Sequence, residues 1–244
     1  MKNEKIFITG GAGFLGVNLL ERLHKHNQIT VYSRDEAKHY YIKKKYPSVK
    51  FVIGDVRNRD LLLRASRGHT VGIFAASLKQ IDACEENYEE AEQVIVHGAF
   101  NSRYVAEENN FKSACFISSD KSRAATTIYG AMKYVAGEGF ISGNSKVKLT
   151  SAVYGNVTNS TGSIIPLMWN YIKRGDTMTL YDKEMTRFIL DIDDAVDLIM
   201  KSPKYKNCNI IPVVKSFKIK DLVDIYAKEF GLKYKMGEPR PGEK

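Results

Sequence analysis

The chain has 244 residues, 43% of them hydrophobic and 27% charged, with 37 Lys and Arg against 28 Asp and Glu for a formal net charge of +9. These are the values of an ordinary globular protein able to bury a sizeable core, and no apolar run approaches the roughly 20 residues of a bilayer span. The lysines spread along the whole chain instead of forming a nucleic-acid stripe, the N-terminus has no signal segment, and three scattered cysteines, Cys84, Cys115 and Cys208, fit free thiols in a reducing cytoplasm.

Short β-branched runs alternate with amphipathic stretches, the pattern of a parallel sheet covered by helices. Strands are predicted at residues 5–9, 29–33, 49–53, 71–75, 113–118 and 148–153. Helices are predicted near 14–24, 60–67, 88–109 and 129–142, and "YYIKKKYP" reads as the end of another on the surface. The expected fold class is therefore α/β, a doubly wound parallel sheet of the Rossmann type. Beyond residue 154 the rhythm changes. A Gly-, Asn- and Ser-rich loop leads to a helix near 165–174. "RFILDIDDAVDLIMKS" reads as a strand and a helix with Asp193 or Asp194 near the N-cap, and "IIPVV" with "KIKDLVDIYAKEFG" reads as another such pair. The expected division is a nucleotide-binding domain over 1–153, rejoined by about 187–202, and a small C-terminal substrate lobe from 154–186 and 203–244.

The first predicted strand runs straight into "FITGGAGFLG". Glycines at Gly10, Gly13 and Gly16, with Phe14 and Leu15 among them, suit a turn where backbone approaches a diphosphate at a helix N-terminus. After the second strand, "VYSRDE" sets Ser33 and Arg34 where the cofactor ribose would lie. A guanidinium suits a 2′-phosphate and so NADP, although Asp35 could still turn inward as an NAD-type acid. "GDV" places Asp55 and Val56 beside the adenine, and "AAS" gives the small residues Ala75, Ala76 and Ser77 for close passage of the cofactor.

The fifth strand ends in "FISSDKSRAATTIYGAMK". Tyr129 and Lys133, four apart, share one helical face, where an ammonium would favour the Tyr129 phenolate. Ser119 at the strand end could hydrogen-bond a reacting hydroxyl. Together they suit removal of a proton from an alcohol while a hydride passes to a nicotinamide. Asp120 and Lys121 add an acid and an amine that such a relay does not need.

Glycine turn, Ser-Ser strand end and Tyr-x-x-x-Lys in this order resemble the extended short-chain dehydrogenase/reductases. "YSRDE", "GDVRNRD", "SSDK…YGAMK", "YGNV", "GSIIP", "MTRF" and "RPGEK" further resemble the UDP-N-acetylglucosamine 4,6-dehydratases over essentially the whole chain. That resemblance implies an NADP-dependent lyase of polysaccharide or nonulosonate biosynthesis, in some members C5-inverting, that is cytoplasmic and forms homo-oligomers. It implies Ser119, Tyr129 and Lys133 for oxidation at C4, Lys121 as the base at C5 and Asp120 as the acid on the departing hydroxyl. Lys79 would lie near cofactor and sugar. Asn156, Ser163, Thr186, Arg187, Arg240 and Glu243 would contact the nucleotide sugar, and no metal is implied. The chain departs from the family at Ile95, where an Asn is usual, at Val153 and Thr161 in place of Arg, and at Ala124-Ala125 in place of Asn-Pro. A sugar-nucleotide 4-epimerase or 4-ketoreductase, or a dinucleotide-sensing homologue, are the alternative readings.

Overall fold

A computed structural model describes residues 1–238. The chain divides into two compact units, Met1–Val153 with Val196–Pro212, and Tyr154–Ala195 with the described part of Val213–Lys244.

In the first unit the strands are β1 (Lys5–Thr9), β2 (Gln28–Ser33), β3 (Lys50–Ile53), β4 (Val71–Phe74), β5 (Ser113–Ile117) and β6 (Lys148–Ala152). Apolar runs such as "KIFIT" and "VGIF" are buried along almost their whole length, as strands covered on both faces must be. A seventh strand, numbered β10 by its place in the chain (Cys208–Ile210), pairs in parallel with β6, giving the order β10-β6-β5-β4-β1-β2-β3. Every pairing in this sheet is parallel. The order runs one way from β1 to β3 and the other way from β4 to β10, the doubly wound arrangement. All carboxyl ends therefore lie along one edge, with a crevice at the β1/β4 switch point.

The connecting helices are α1 (Phe14–Leu23), α2 (Glu36–Lys45), α3 (Arg59–Ala65), α4 (Ile81–Glu86), α5 (Tyr88–Glu92), α6 (Gly98–Glu108) and α7 (Ile128–Ile141). Phe7, Leu62, Phe74, Phe116, Phe140 and Leu149 form the core on one side, with the Phe116 and Phe140 rings stacked at 5.6 Å. Each such side chain contributes about 1.5–3 kcal/mol by leaving water. The helix expected over 88–109 is interrupted by a π-turn at Gln93–His97. There Val94, Ile95 and Val96 are all buried.

The second unit holds β7 (Asn156–Val157), β9 (Thr186–Leu190) and β11 (Lys215–Lys218) in one small sheet. β8 (Thr177–Leu180) pairs with β12 (Lys233–Met236) in another. Helices α8 (Ile164–Arg174) and α10 (Ile219–Phe230) share with them a core of Met168, Met178, Leu180, Met185, Ile219, Val223 and Leu232. α9 (Ile192–Lys201) leads back to the first unit. Its first turn contains Asp193 and Asp194, so neither is the N-cap; Asp191 precedes the helix and takes the Ala195 amide. The returning segment is Val196–Pro212 rather than about 187–202. β9 pairs with β7 and β11, whereas the short polar strand Cys208–Ile210 joins the large sheet. Among the described residues no helix is long and apolar enough to cross a membrane.

Gly175 and Gly231 end α8 and α10 with φ of +71° and +70°, and a Cβ on either would meet nothing within 4 Å. Gly231→Ala therefore adds left-handed backbone strain without a clash. It is expected to lower stability by about 1 kcal/mol in urea unfolding, with Gly231→Asn losing less.

Candidate active site

The turn after β1 packs so closely on its own neighbours that two of its glycines have no room for a side chain. Gly10 has φ +69°, and a Cβ there would sit 2.8 Å from the Ala76 amide nitrogen; at Gly16 it would sit 2.3 Å from the Gly11 Cα. Gly13 occupies the N-cap of α1 without any side-chain cap, leaving the amide donors of the first turn to an incoming anion. Phe14 and Leu15 open that helix. The Gly10 amide donates to the Tyr32 carbonyl at 2.9 Å and the Gly54 amide to the Ser33 carbonyl at 3.1 Å. These bonds bring Gly10, Ser33 and the Asp55–Val56 segment together. Ala75 and Ala76 are tied to Thr9 by the Ala75 amide on its carbonyl and the Ala76 amide on its hydroxyl, both at 3.2 Å. Ser77 donates to the Leu78 carbonyl.

Asp35 does not turn inward. It caps α2, accepting from the Lys38 amide at 2.9 Å and pairing with the Lys38 ammonium at 2.8 Å. Arg34 is exposed, with its guanidinium 3.7 Å from Asp55. Arg57, absent from the sequence candidates, holds Asp55 with a fork from Nε at 3.0 Å and Nη2 at 2.6 Å and reaches Glu90 at 2.7 Å. The Arg57 hydrogen bonds keep the Asp55 carboxyl below its ordinary value despite partial burial. The Ser33 hydroxyl lies 2.6 Å from Nε2 of His39, another residue the motif reading passed over.

At the end of β5 the Ser119 hydroxyl donates to Asp120 Oδ1 at 3.1 Å, and the Lys121 ammonium donates to the same oxygen at 3.2 Å. Tyr129 is 6% exposed, and burial pushes its phenol up to about 12 against a lowering hydrogen bond with Ser119. Lys133 is 3% exposed, its ammonium donating to the Ile117 carbonyl at 3.0 Å and lying over the Phe116 ring; burial pulls it down to about 8. The expected lowering of Tyr129 by Lys133 is not found: desolvation of the phenol dominates, and the opposing cause is the Ser119 hydrogen bond. Thr127 caps α7 through the Gly130 amide at 3.1 Å, and Glu85 Oε1 accepts the Tyr129 amide at 3.1 Å. Glu85 gave no sequence signal because its partner is a backbone group 44 residues away. Lys79 is an exposed residue, yet desolvation lowers its ammonium's pKa.

The first unit therefore gathers the glycine turn, Ser33, Arg34, Asp55, Val56, Ala75–Ser77 and the 119–133 cluster along the carboxyl edge of one sheet. In the second unit Asn156 stands in β7 opposite Ile189, and Ser163 occupies the N-cap of α8. Thr186 and Arg187 begin β9, the Arg187 guanidinium donating to the Thr186 carbonyl at 2.8 Å. Arg240 and Glu243 lie outside the described residues.

Residues 6–244 match the family described as polysaccharide biosynthesis protein. The chain belongs to that family. A Campylobacter jejuni relative named UDP-N-acetylglucosamine 4,6-dehydratase (inverting) is 33% identical over 100% of this chain and 77% of its own. A Rickettsia akari relative named UDP-glucose 4-epimerase is 34% identical over 88% of this chain and 67% of its own. The solved structure of Pen from Bacillus thuringiensis superposes with a TM-score of 0.93 at 28% identity, covering 100% of this chain and 79% of that one. The fold is that of the extended short-chain dehydrogenase/reductases.

One departure of this polysaccharide biosynthesis protein has a local cost. Ala124 has φ +49° in the loop between Lys121 and Tyr129, a conformation that Asn tolerates better than Ala. The buried lysine has a global one. A lysine in the unfolded chain titrates near about 10.4, so between that value and the folded value of about 8 the unfolded chain binds more protons. Its contribution to stability therefore rises with pH through this window. Urea unfolding across the window is expected to show that rise in the wild type and to lose it in Lys133→Met. A parallel pH profile for the two proteins would contradict the assignment.

Proposed function

We propose that the protein is an NADP-dependent sugar-nucleotide 4,6-dehydratase acting on UDP-N-acetylglucosamine, working as a homo-oligomer like the enzymes it resembles. The observation that carries this reading is the Asp120–Lys121 pair at 3.2 Å, joined through Ser119 to buried Tyr129. Loss of water needs an acid and a base besides the hydroxyl-oxidising relay, and this cluster supplies both.

The residues fit a dinucleotide. Gly10 and Gly16 allow the tight turn and the close seating of α1 on it, and the uncapped start of α1 at Gly13, with Phe14 and Leu15, meets the charge of the diphosphate. Asp55 and Val56 face the adenine, with Arg57 fixing the carboxylate. Ala75, Ala76, Ser77 and Lys79 line the nicotinamide half with Tyr129 and Lys133. Ser33 and Arg34 favour a 2′-phosphate, because Asp35, the acid an NAD-type site would turn to the ribose, is committed to α2. A nicotinamide held there would supply a hydride acceptor for C4 and a hydride donor for C6.

As a phenolate whose own proton has first gone to solvent, Tyr129 removes the C4 hydroxyl proton, with Ser119 holding that oxygen and Lys133 fixing the helix face beneath it. A proton moved across the Asp120–Lys121 pair leaves Lys121 as the neutral amine and Asp120 as the protonated acid, at no change in net charge. The 4-ketone acidifies C5–H. Lys121 takes that proton while Asp120 gives its own to O6, so the C6–O bond breaks and water departs. Lys121 then returns its proton to C5, and the face of return sets the C5 configuration. Asn156, Ser163, Thr186 and Arg187 are assigned to the nucleotide sugar by resemblance, with Arg240 and Glu243.

The Rickettsia relatives favour a 4-epimerase as the second reading, but that reaction has no use for Lys121. In Lys121→Ala, NADP binding is expected to persist while dehydration of UDP-N-acetylglucosamine falls by about a hundredfold or more, the reduced nicotinamide accumulating in its absorbance band. Full dehydratase turnover in this variant would remove Lys121 from the mechanism. Interconversion of C4 epimers without loss of water by the wild type would establish the second reading.

A further inference from the structure

We infer that His39 is a positioning residue that sets the direction of the Ser33 hydroxyl and thereby couples recognition of the cofactor's 2′-phosphate to uptake of a proton. The inference rests on the NADP reading above and extends it to a residue in no glycine or catalytic motif.

His39 lies on α2, 5% exposed, with Nε2 2.6 Å from Ser33 Oγ at the carboxyl end of β2. Ser33 is held beside the glycine turn, since the preceding residue, Tyr32, takes the Gly10 amide on its carbonyl. Nδ1 of His39 is buried and has no hydrogen-bond partner. From β3 the ring packs against Phe51 with centroids 5.1 Å apart, an apolar neighbour that offers no proton acceptor. The charged group acting on it from its own helix is Asp35, itself paired with Lys38 at 2.8 Å. Among the described residues the contact to Ser33 is thus the side chain's one hydrogen bond, and the ring reaches a group bound beside the glycine turn through that hydroxyl.

Two neutral arrangements are open. With the proton on Nδ1, Ser33 must donate to Nε2, and its oxygen offers only lone pairs outward. With the proton on Nε2, that N–H donates to Ser33 Oγ and the hydroxyl hydrogen is free to point outward. A protonated ring enforces the second arrangement. A ribose 2′-hydroxyl both donates and accepts, so either arrangement serves it. A 2′-phosphate is an acceptor alone, so it demands the outward-donating hydroxyl, and its negative charge further favours the imidazolium. Burial lowers the His39 pKa and Asp35 raises it, so the free site holds a neutral ring that the phosphate can convert. A proton from solvent goes onto the ring as NADP binds. The preference for NADP over NAD therefore increases as pH falls through the pKa of His39 in the complex.

The test is calorimetric titration of the whole protein with NADP and with NAD, in buffers of different ionisation enthalpy and at mildly acidic, neutral and mildly alkaline pH. The wild type is expected to take up a proton with NADP and not with NAD. His39→Leu, which fills the space without a donor, should lose roughly tenfold in NADP affinity with NAD affinity unchanged, as for a hydrogen bond to a charged group. His39→Gln keeps an N–H donor that does not titrate. It should restore most of the NADP affinity, while its proton uptake disappears and only the proton release of the phosphate's own second ionisation, at about 6, remains. A wild type that prefers NADP, with both variants matching it in affinity ratio and proton uptake, overturns this inference alone. A wild type that binds NAD more tightly overturns the NADP reading, and this inference with it.

Discussion

The buried ammonium of Lys133 is the constraint on which the rest of the site depends. Its bond to the Ile117 carbonyl, 3.0 Å long, ties the middle of α7 to the last residue of β5. An ammonium taken out of water must find such a partner or lose its charge, and the sheet provides it only at a strand's carboxyl end. With Lys133 fixed there, Tyr129 sits one turn earlier on the same face, and Ser119, Asp120 and Lys121 follow within four residues of Ile117. The two ends of a 17-residue segment, Ile117–Lys133, are thereby folded onto each other, and the intervening loop contains the strained Ala124.

The parallel register extends the same logic to the cofactor half. Because every strand of the large sheet runs the same way, Gly10, Ser33, Asp55, Ala75 and Ser119 all emerge along one edge. No single loop could hold so many groups rigidly. Five adjacent strands, β1 to β5, and their helices do so with backbone hydrogen bonds and a continuous core, leaving the loops to carry chemistry. The polar groups of the site then tune one another: Asp35 is taken up by α2, Asp55 by Arg57, and Ser33 by His39.

Much of this was legible in the sequence because the signals are local. "KIFIT" is a buried strand at the positions its apolar run marks, and the glycine spacing and the Tyr–Lys pair each lie within one turn or one helix face. What was not legible depends on distant partners. Arg57, which holds Asp55, is itself held by Glu90 across 33 residues, and Glu85 caps a helix 44 residues away. Cys208–Ile210 is too short and polar to announce a place in the main sheet, and its pairing with β6 is set by tertiary contact. The π-turn at Gln93–His97 escaped for another reason: three consecutive β-branched residues read as ordinary helix, and only the packed structure shows that all three are buried.

The account's central claim is that the acid and amine in front of Tyr129 make this site eliminate water rather than only oxidise a hydroxyl. Mass spectrometry of UDP-N-acetylglucosamine incubated with the protein and NADP in partly deuterated water tests it most directly. The account predicts a product lighter by one water that carries solvent deuterium at C5. A product of unchanged mass inverted at C4, or unchanged substrate with the cofactor bound, would contradict it.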